Sequence, residues 1–102
     1  MEVTLSTRRT FNIEGLTVTQ TLEAVRLSRS IPKAESESLE VLSYLVRIQR
    51  DVIGWALGNA GADPATIEQI TGSMRLDEMT EILSHIQALT VLTQASESKR
   101  IQ

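Results

Sequence analysis

A chain of 102 residues, 41% hydrophobic and 23% charged, is enough for one globular domain and not two. It has no cysteine, which excludes disulfides, thiolate nucleophiles and cysteine-based zinc sites together. The net charge of −3 is unevenly spread: residues 1–50 carry seven basic and six acidic side chains, residues 51–102 three and seven, so a phosphate backbone would be repelled by the C-terminal half. With only Phe11, Tyr44 and Trp55 as aromatics, the core must be built from aliphatic side chains. A chain of this size buries roughly 60–65% of its unfolded surface, so a partner or a second copy would add materially to its stability.

The chain opens with alternation. Val3 and Leu5, then Phe11 and Ile13, are separated by the polar run Ser6-Thr7-Arg8-Arg9. Residues 2–5 and 10–14 therefore read as a short β-hairpin or two extended segments, which must lean on helices or on another chain. Thr17 followed by Gln20 is a capping-box pair, with Leu16 placed for a staple contact. A helix over 18–30 is expected, with a narrow apolar stripe of Val18, Leu22 and Val25, broken by Pro32.

Residues 33–38 are polar and linker-like, and a long helix over about 36–60 follows. Val41, Leu45, Ile48, Val52 and Trp55 form one stripe at strict 4-3-4-3 spacing. Leu39, Leu42, Val46, Ile53 and Leu57 form a second. One stripe satisfies an ordinary surface helix; two imply a central helix, or one that also packs against another chain. Gly54 is a candidate bend, and Gly58 and Gly61 are terminators, Gly61 as a natural C′ residue. Asp63-Pro64 then reads as an N-cap with proline at N1. It starts a short helix through Ile67 and Ile70 that should stop at Gly72. Asp77 and Glu78 occupy the first turn of a last helix, where the helix dipole favours acids. Leu76, Met79, Ile82, Leu83, Ile86 and Leu89 give that helix the cleanest amphipathic stripe in the chain. Fraying is expected after Leu92. Residues 1–93 form the expected domain, and 94–102 read as a disordered tail.

Chemistry-bearing constellations are sparse. Asp77, Glu81 and His85 share one helix face at metal-ligating spacing, but there is no second histidine, and carboxylate metal sites need ligands repeated on a second helix. The acidic residues Asp63, Glu68, Asp77, Glu78 and Glu81 fall at helix starts and on polar faces, where capping and solvation explain them. Arg8, Arg9, Arg26, Arg29 and Lys33 read as a solvated basic face that an acidic partner could also touch. No nucleophile motif or phosphate-cradling glycine loop is present. Residues 63–89 have a helix-turn-helix flavour, but the second helix opens Leu-Asp-Glu-Met-Thr-Glu, with none of the basic residues that read DNA.

The order of elements has a parallel. An extended start leads into Glu14-Gly-Leu-Thr-Val-Thr-Gln-Thr-Leu-Glu-Ala24. A long helix follows, then Gly61-Ala-Asp-Pro-Ala-Thr-Ile-Glu-Gln-Ile70 and Leu76-Asp-Glu-Met-Thr-Glu-Ile-Leu-Ser-His-Ile-Gln-Ala-Leu89. Over about residues 1–90 this layout resembles the tail assembly chaperones of long-tailed bacteriophages. The resemblance implies a mainly α-helical, oligomerising, non-catalytic protein of the host cytoplasm. Such a protein binds the tape measure protein, keeps it soluble and helps tail tube protein assemble around it, without cofactor, nucleic acid or membrane.

The sequence thus predicts a mainly α fold: a small helical domain with a long central helix and a short N-terminal β-hairpin or extended segment. Protein binding is assigned to Val41, Leu45, Ile48, Val52 and Trp55, with Trp55 as the anchor. The rival readings are a structural subunit of a phage particle or other oligomer, and a small DNA-binding regulator.

Overall fold

The computed structural model describes residues 1–29 and 39–101. Along them run β1 (Glu2–Thr4), β2 (Thr10–Asn12), α1 (Val18–Arg29), α2 (Leu39–Asn59), α3 (Pro64–Ser73) and α4 (Leu76–Ile101). The fold is mainly helical with a short N-terminal antiparallel hairpin, as the sequence predicts. The break at Pro32, the linker 33–38, the start of the long helix at 36 and Lys33 lie outside the described residues.

The hairpin pairs Val3 with Phe11, Glu2 with Asn12 and Thr4 with Thr10. Strand pleating sends Val3, Leu5, Phe11 and Ile13 to the buried face. Its loop is a three-residue connection closed by Arg8 N–H to Leu5 O (2.8 Å) and Leu5 N–H to Arg9 O (2.8 Å). Arg8 sits at φ +70°, the left-handed position that this loop type needs and that glycine usually fills. Thr17 and Gln20 close a capping box on α1: Gln20 N–H donates to Thr17 Oγ1 at 3.1 Å and Thr17 N–H to Gln20 Oε1 at 3.0 Å. Leu16, the residue expected to make a staple, is buried in the core instead.

α2 is the hub, touching α1, α3 and α4. It ends in a Schellman motif: Ala62 N–H reaches Leu57 O (3.1 Å), and Gly61 N–H, at φ +105°, reaches Gly58 O (2.9 Å). Asp63 then caps α3 by accepting from Thr66 N–H at 2.8 Å. Thr66, through its hydroxyl and its N–H, holds the Asp63 carboxyl below the usual range. Gly54, a candidate bend by sequence, serves packing: a Cβ there would lie 3.2 Å from Ile67 of α3. α3 runs one residue past Gly72. α4 is continuous to Ile101, well past Leu92, where the amphipathic stripe ends and fraying is expected. The segment 93–101 contains no glycine or proline to break the helix.

The centre of the core is Ile13, Ile53, Leu57, Ile82 and Ile86, drawn from the segment after β2, from α2 and from α4. Residues 13–16 thread against both helices. Glu14 N–H donates to Ala56 O (3.1 Å), and Leu16 N–H donates to the buried Thr90 Oγ1 (2.9 Å). Between them Gly15 lies so close to α4 that a Cβ would sit 2.9 Å from the Leu89 carbonyl and the Thr90 nitrogen. Backbone cannot step aside as a side chain can. Gly15→Ala is expected to cost about 1–3 kcal/mol, read as a lowered urea midpoint at unchanged slope. In the hairpin, Arg8→Gly relieves the left-handed conformation and should raise stability by about 0.5–1 kcal/mol in the same assay.

Candidate functional site

Three charged groups, Arg9, Glu78 and Glu81, hold the hairpin to α4. Glu78 is buried. It accepts from Thr7 Oγ1 at 2.8 Å, from Arg9 at 3.1 Å and from the backbone N–H of Arg75 at 3.2 Å. Thr7's hydroxyl first, then the Arg75 N–H and the Arg9 charge, hold its carboxyl below the ordinary range. Glu81 accepts the Ser6 N–H at 2.8 Å on both oxygens. Arg9 reaches on to Ser73 at the end of α3 and lies over the Phe11 ring, 5.0 Å from its centroid. On α1, Arg26 pairs with Glu23. Of the residues at metal-ligating spacing, Glu81 thus bonds the hairpin, Asp77 pairs with Arg75 at 3.4 Å, and His85 is half-buried. Among the described residues, no group of three His, Asp or Glu side chains is placed to hold a metal ion.

The apolar surface is distributed differently from the sequence expectation. On α1 the stripe Val18, Leu22 and Val25 faces outward, at 54%, 65% and 43% exposure, and the helix has no buried residue. Ala24 packs against the core instead. This small side chain lets α1 sit close to the body, while Val18, Leu22 and Val25 remain exposed. On α2 the two stripes are not separated into an inner and an outer one. Burial is divided along the helix instead. Val52, Ile53, Ala56 and Leu57 are buried in its C-terminal half, while Leu39, Leu42 and Leu45 are exposed in its N-terminal half.

The five residues assigned to binding are accordingly dispersed. Val41 and Val52 are buried, Ile48 and Trp55 half-buried, and Leu45 exposed. Ile48 and Val52 form part of the floor of an apolar groove of about 570 Å³, walled by Ala24 and Val25 of α1 and by Leu83, Ile86 and Val91 of α4. Trp55 opens instead on a cleft of about 450 Å³ toward α3, beside Arg50, Glu68 and Thr71. The row thus serves two concavities, and only its middle joins the groove. The exposed face of α1 is the feature that sequence reasoning missed. The signal was its narrow width: Val18, Leu22 and Val25 make a single stripe too narrow to cover a core.

No protein-family model matches this sequence, and no curated protein or solved structure is similar to it. No helix among the described residues is long and apolar enough to cross a membrane.

The depressed Glu78 carboxyl makes a signed prediction. A group whose folded pKa is lowered contributes stability above its unfolded pKa of about 4.3, and that contribution is lost as pH falls through the folded value. The stability difference between the native chain and Glu78→Gln should therefore be largest near neutrality. It should shrink below about pH 4.3, measured by urea unfolding across a pH series.

Proposed function

We propose that this chain acts by binding protein, holding an elongated apolar client on the outward face of α1 and the adjoining groove. It would do so in the manner of the phage tail assembly chaperones that its layout resembles. The observation that carries this reading is the orientation of α1. Burial of a Val or Leu side chain is worth about 1.5–3 kcal/mol, and α1 leaves Val18, Leu22 and Val25 without it. Residues at i, i+4 and i+7 present a straight apolar seam to a second helix. A tape measure protein, long and helical, is a client of that shape, and tail tube protein is the assembly partner that the resemblance implies. Leu45 and Ile48, from the row assigned by sequence, adjoin this surface. Val52 adds to the floor of that groove, while Val41 is buried and Trp55 opens on the cleft toward α3.

Two further observations support a binding protein over the rivals. Glu78 and Glu81 at the start of α4 bond the hairpin, and Asp77 pairs with Arg75, so these carboxylates serve the fold. The helix-turn-helix rival is disfavoured by charge: α4 opens with Asp77, Glu78 and Glu81, which a DNA phosphate backbone would repel.

The test is co-expression with a phage tape measure protein, followed by affinity capture. The native chain should hold the client soluble and co-elute with it. Leu22→Glu alters a side chain that is 65% exposed, so it should change stability by no more than about 0.5 kcal/mol while releasing the client. A client that precipitates beside free native chain would sink the proposal. Recovery of this chain from finished particles would favour a structural subunit.

A further inference from the structure

The hydrogen-bonding pattern of the hairpin fixes what its outer edges present. Ile13 N–H donates to Met1 O at 2.9 Å, the Met1 amino group to Ile13 O at 2.8 Å, and Leu5 N–H to Arg9 O at 2.8 Å. In an antiparallel ladder, bonded and non-bonded pairs alternate. Val3 and Phe11 are therefore a bonded pair, and Glu2–Asn12 and Thr4–Thr10 are non-bonded pairs. The N–H and C=O groups of Thr10 and Asn12 accordingly point away from β1, and no described residue bonds them. Beside that edge lies a concavity of about 340 Å³ between β2, the end of α2 and α3. Phe11, Leu57, Ala60, Ala62, Thr66 and Ile70 line it, with no charged side chain and no residue of β1. It therefore opens on the outer side of β2. Proteins ordinarily block a free edge with charge, proline or a bulge. β1 carries Glu2, whereas β2 is Thr-Phe-Asn and carries none of these.

We propose that an extended peptide segment of another protein adds to β2 as a third strand. The backbone groups of Thr10 and Asn12 select this occupant. A strand brings unpaired donors and acceptors that match theirs, whereas a docked helix has already paired its own. Antiparallel addition would pair one peptide residue with Thr10 and another, two further along, with Asn12. The peptide residue between them would stand opposite Phe11. Side chains directly opposite each other lie on the same face of a sheet, so this one follows the buried Phe11 inward and enters the concavity. Its two neighbours point to solvent beside the exposed Thr10 and Asn12. The recognised pattern is thus polar, aliphatic, polar, with affinity from the backbone and specificity from one side chain. A volume near the lower end of the roughly 300–1,000 Å³ of ligand pockets suits one such aliphatic group. The site shares no residue with the groove between α1 and α4 or with the outward stripe of α1, so it can be filled independently of a client there.

The experiment is an NMR titration of the isotope-labelled full chain with a blocked peptide, Lys-Thr-Thr-Leu-Thr-Thr-Lys, through the millimolar range. The amide signals of Thr10 and Asn12 should shift and their hydrogen exchange should slow, and the methyl signals of Ala62 and Ile70 should move with them. The same peptide N-methylated at the two threonines flanking its leucine lacks the donors to Thr10 O and Asn12 O. It should bind at least about tenfold more weakly. On the protein, Thr10→Pro removes one outward donor and spares the β1 ladder, the placement at which edge strands accept proline. It should weaken binding at least about threefold with an unchanged circular dichroism spectrum. If Thr10→Pro does not fold, the methylated peptide decides, because it leaves the protein intact. Unmoved Thr10 and Asn12 signals, equal binding of the methylated peptide, or a folded Thr10→Pro that binds like the native chain overturns the proposal. Protection of both amides in the peptide-free chain that disappears on dilution would assign the edge to a second copy, and would overturn it too.

Discussion

The crossing of residues 13–16 between α2 and α4 is the constraint on which the rest of the molecule depends. An irregular segment can be buried only if its backbone groups find partners. Here Ala56 O and Thr90 Oγ1 take the N–H groups of Glu14 and Leu16. Gly15 lets the strand-to-helix connection lie directly on the α4 backbone. With that crossing in place, Ile13 and Leu16 enter the core, and α1 begins directly after it and packs against α2. Asn59 secures the junction, donating to Gly15 O at 3.1 Å and to Gln20 Oε1 at 2.7 Å.

The charged hairpin tip locks the other end of the same layer. Ser6, Thr7 and Arg9 meet Glu78 and Glu81 on α4, and Arg9 also reaches Ser73. A two-stranded hairpin is marginal alone. It is stable here because one face is core and its loop is bonded to a helix start. The result is a packed body made of the hairpin, the C-terminal half of α2, α3 and the first turns of α4. Beside it, α1 and the N-terminal half of α2 carry apolar side chains that this body does not cover. Client binding is therefore expected at the second region, where the chain's own packing runs out.

Much of the local structure was legible from residues alone. Thr17 and Gln20 marked the start of α1, Asp63-Pro64 marked α3, and Gly61 marked the end of α2. Each is a short-range backbone requirement met by one or two side chains, so nothing distant can overrule it. The alternation of Val3, Leu5, Phe11 and Ile13 likewise identified the inner face of the hairpin. The candidate site was less legible. Periodicity placed Val41, Leu45, Ile48, Val52 and Trp55 on one side of a helix, but the neighbours of that side change along its length. The row runs from the buried Val41 past the exposed Leu45 and a groove to a cleft against α3.

The sequence by itself determined where α1 and α3 begin and where α2 ends, which strand face is apolar, and that the chain holds no cysteine and no nucleophile or phosphate-loop motif. Only the tertiary structure decided which apolar stripes are covered. Amphipathicity states that a face prefers to leave water, not whether a neighbour is there to receive it. The Val18–Leu22–Val25 stripe had the pattern of a core face. It lies outward because Ala24, the smaller side chain, makes the closer contact with the body. Glu78 had the pattern of a solvated first-turn acid. It is buried because a hairpin 70 residues away in sequence brings Thr7 and Arg9 to its oxygens. Both outcomes follow from long-range packing, which no local window of residues contains.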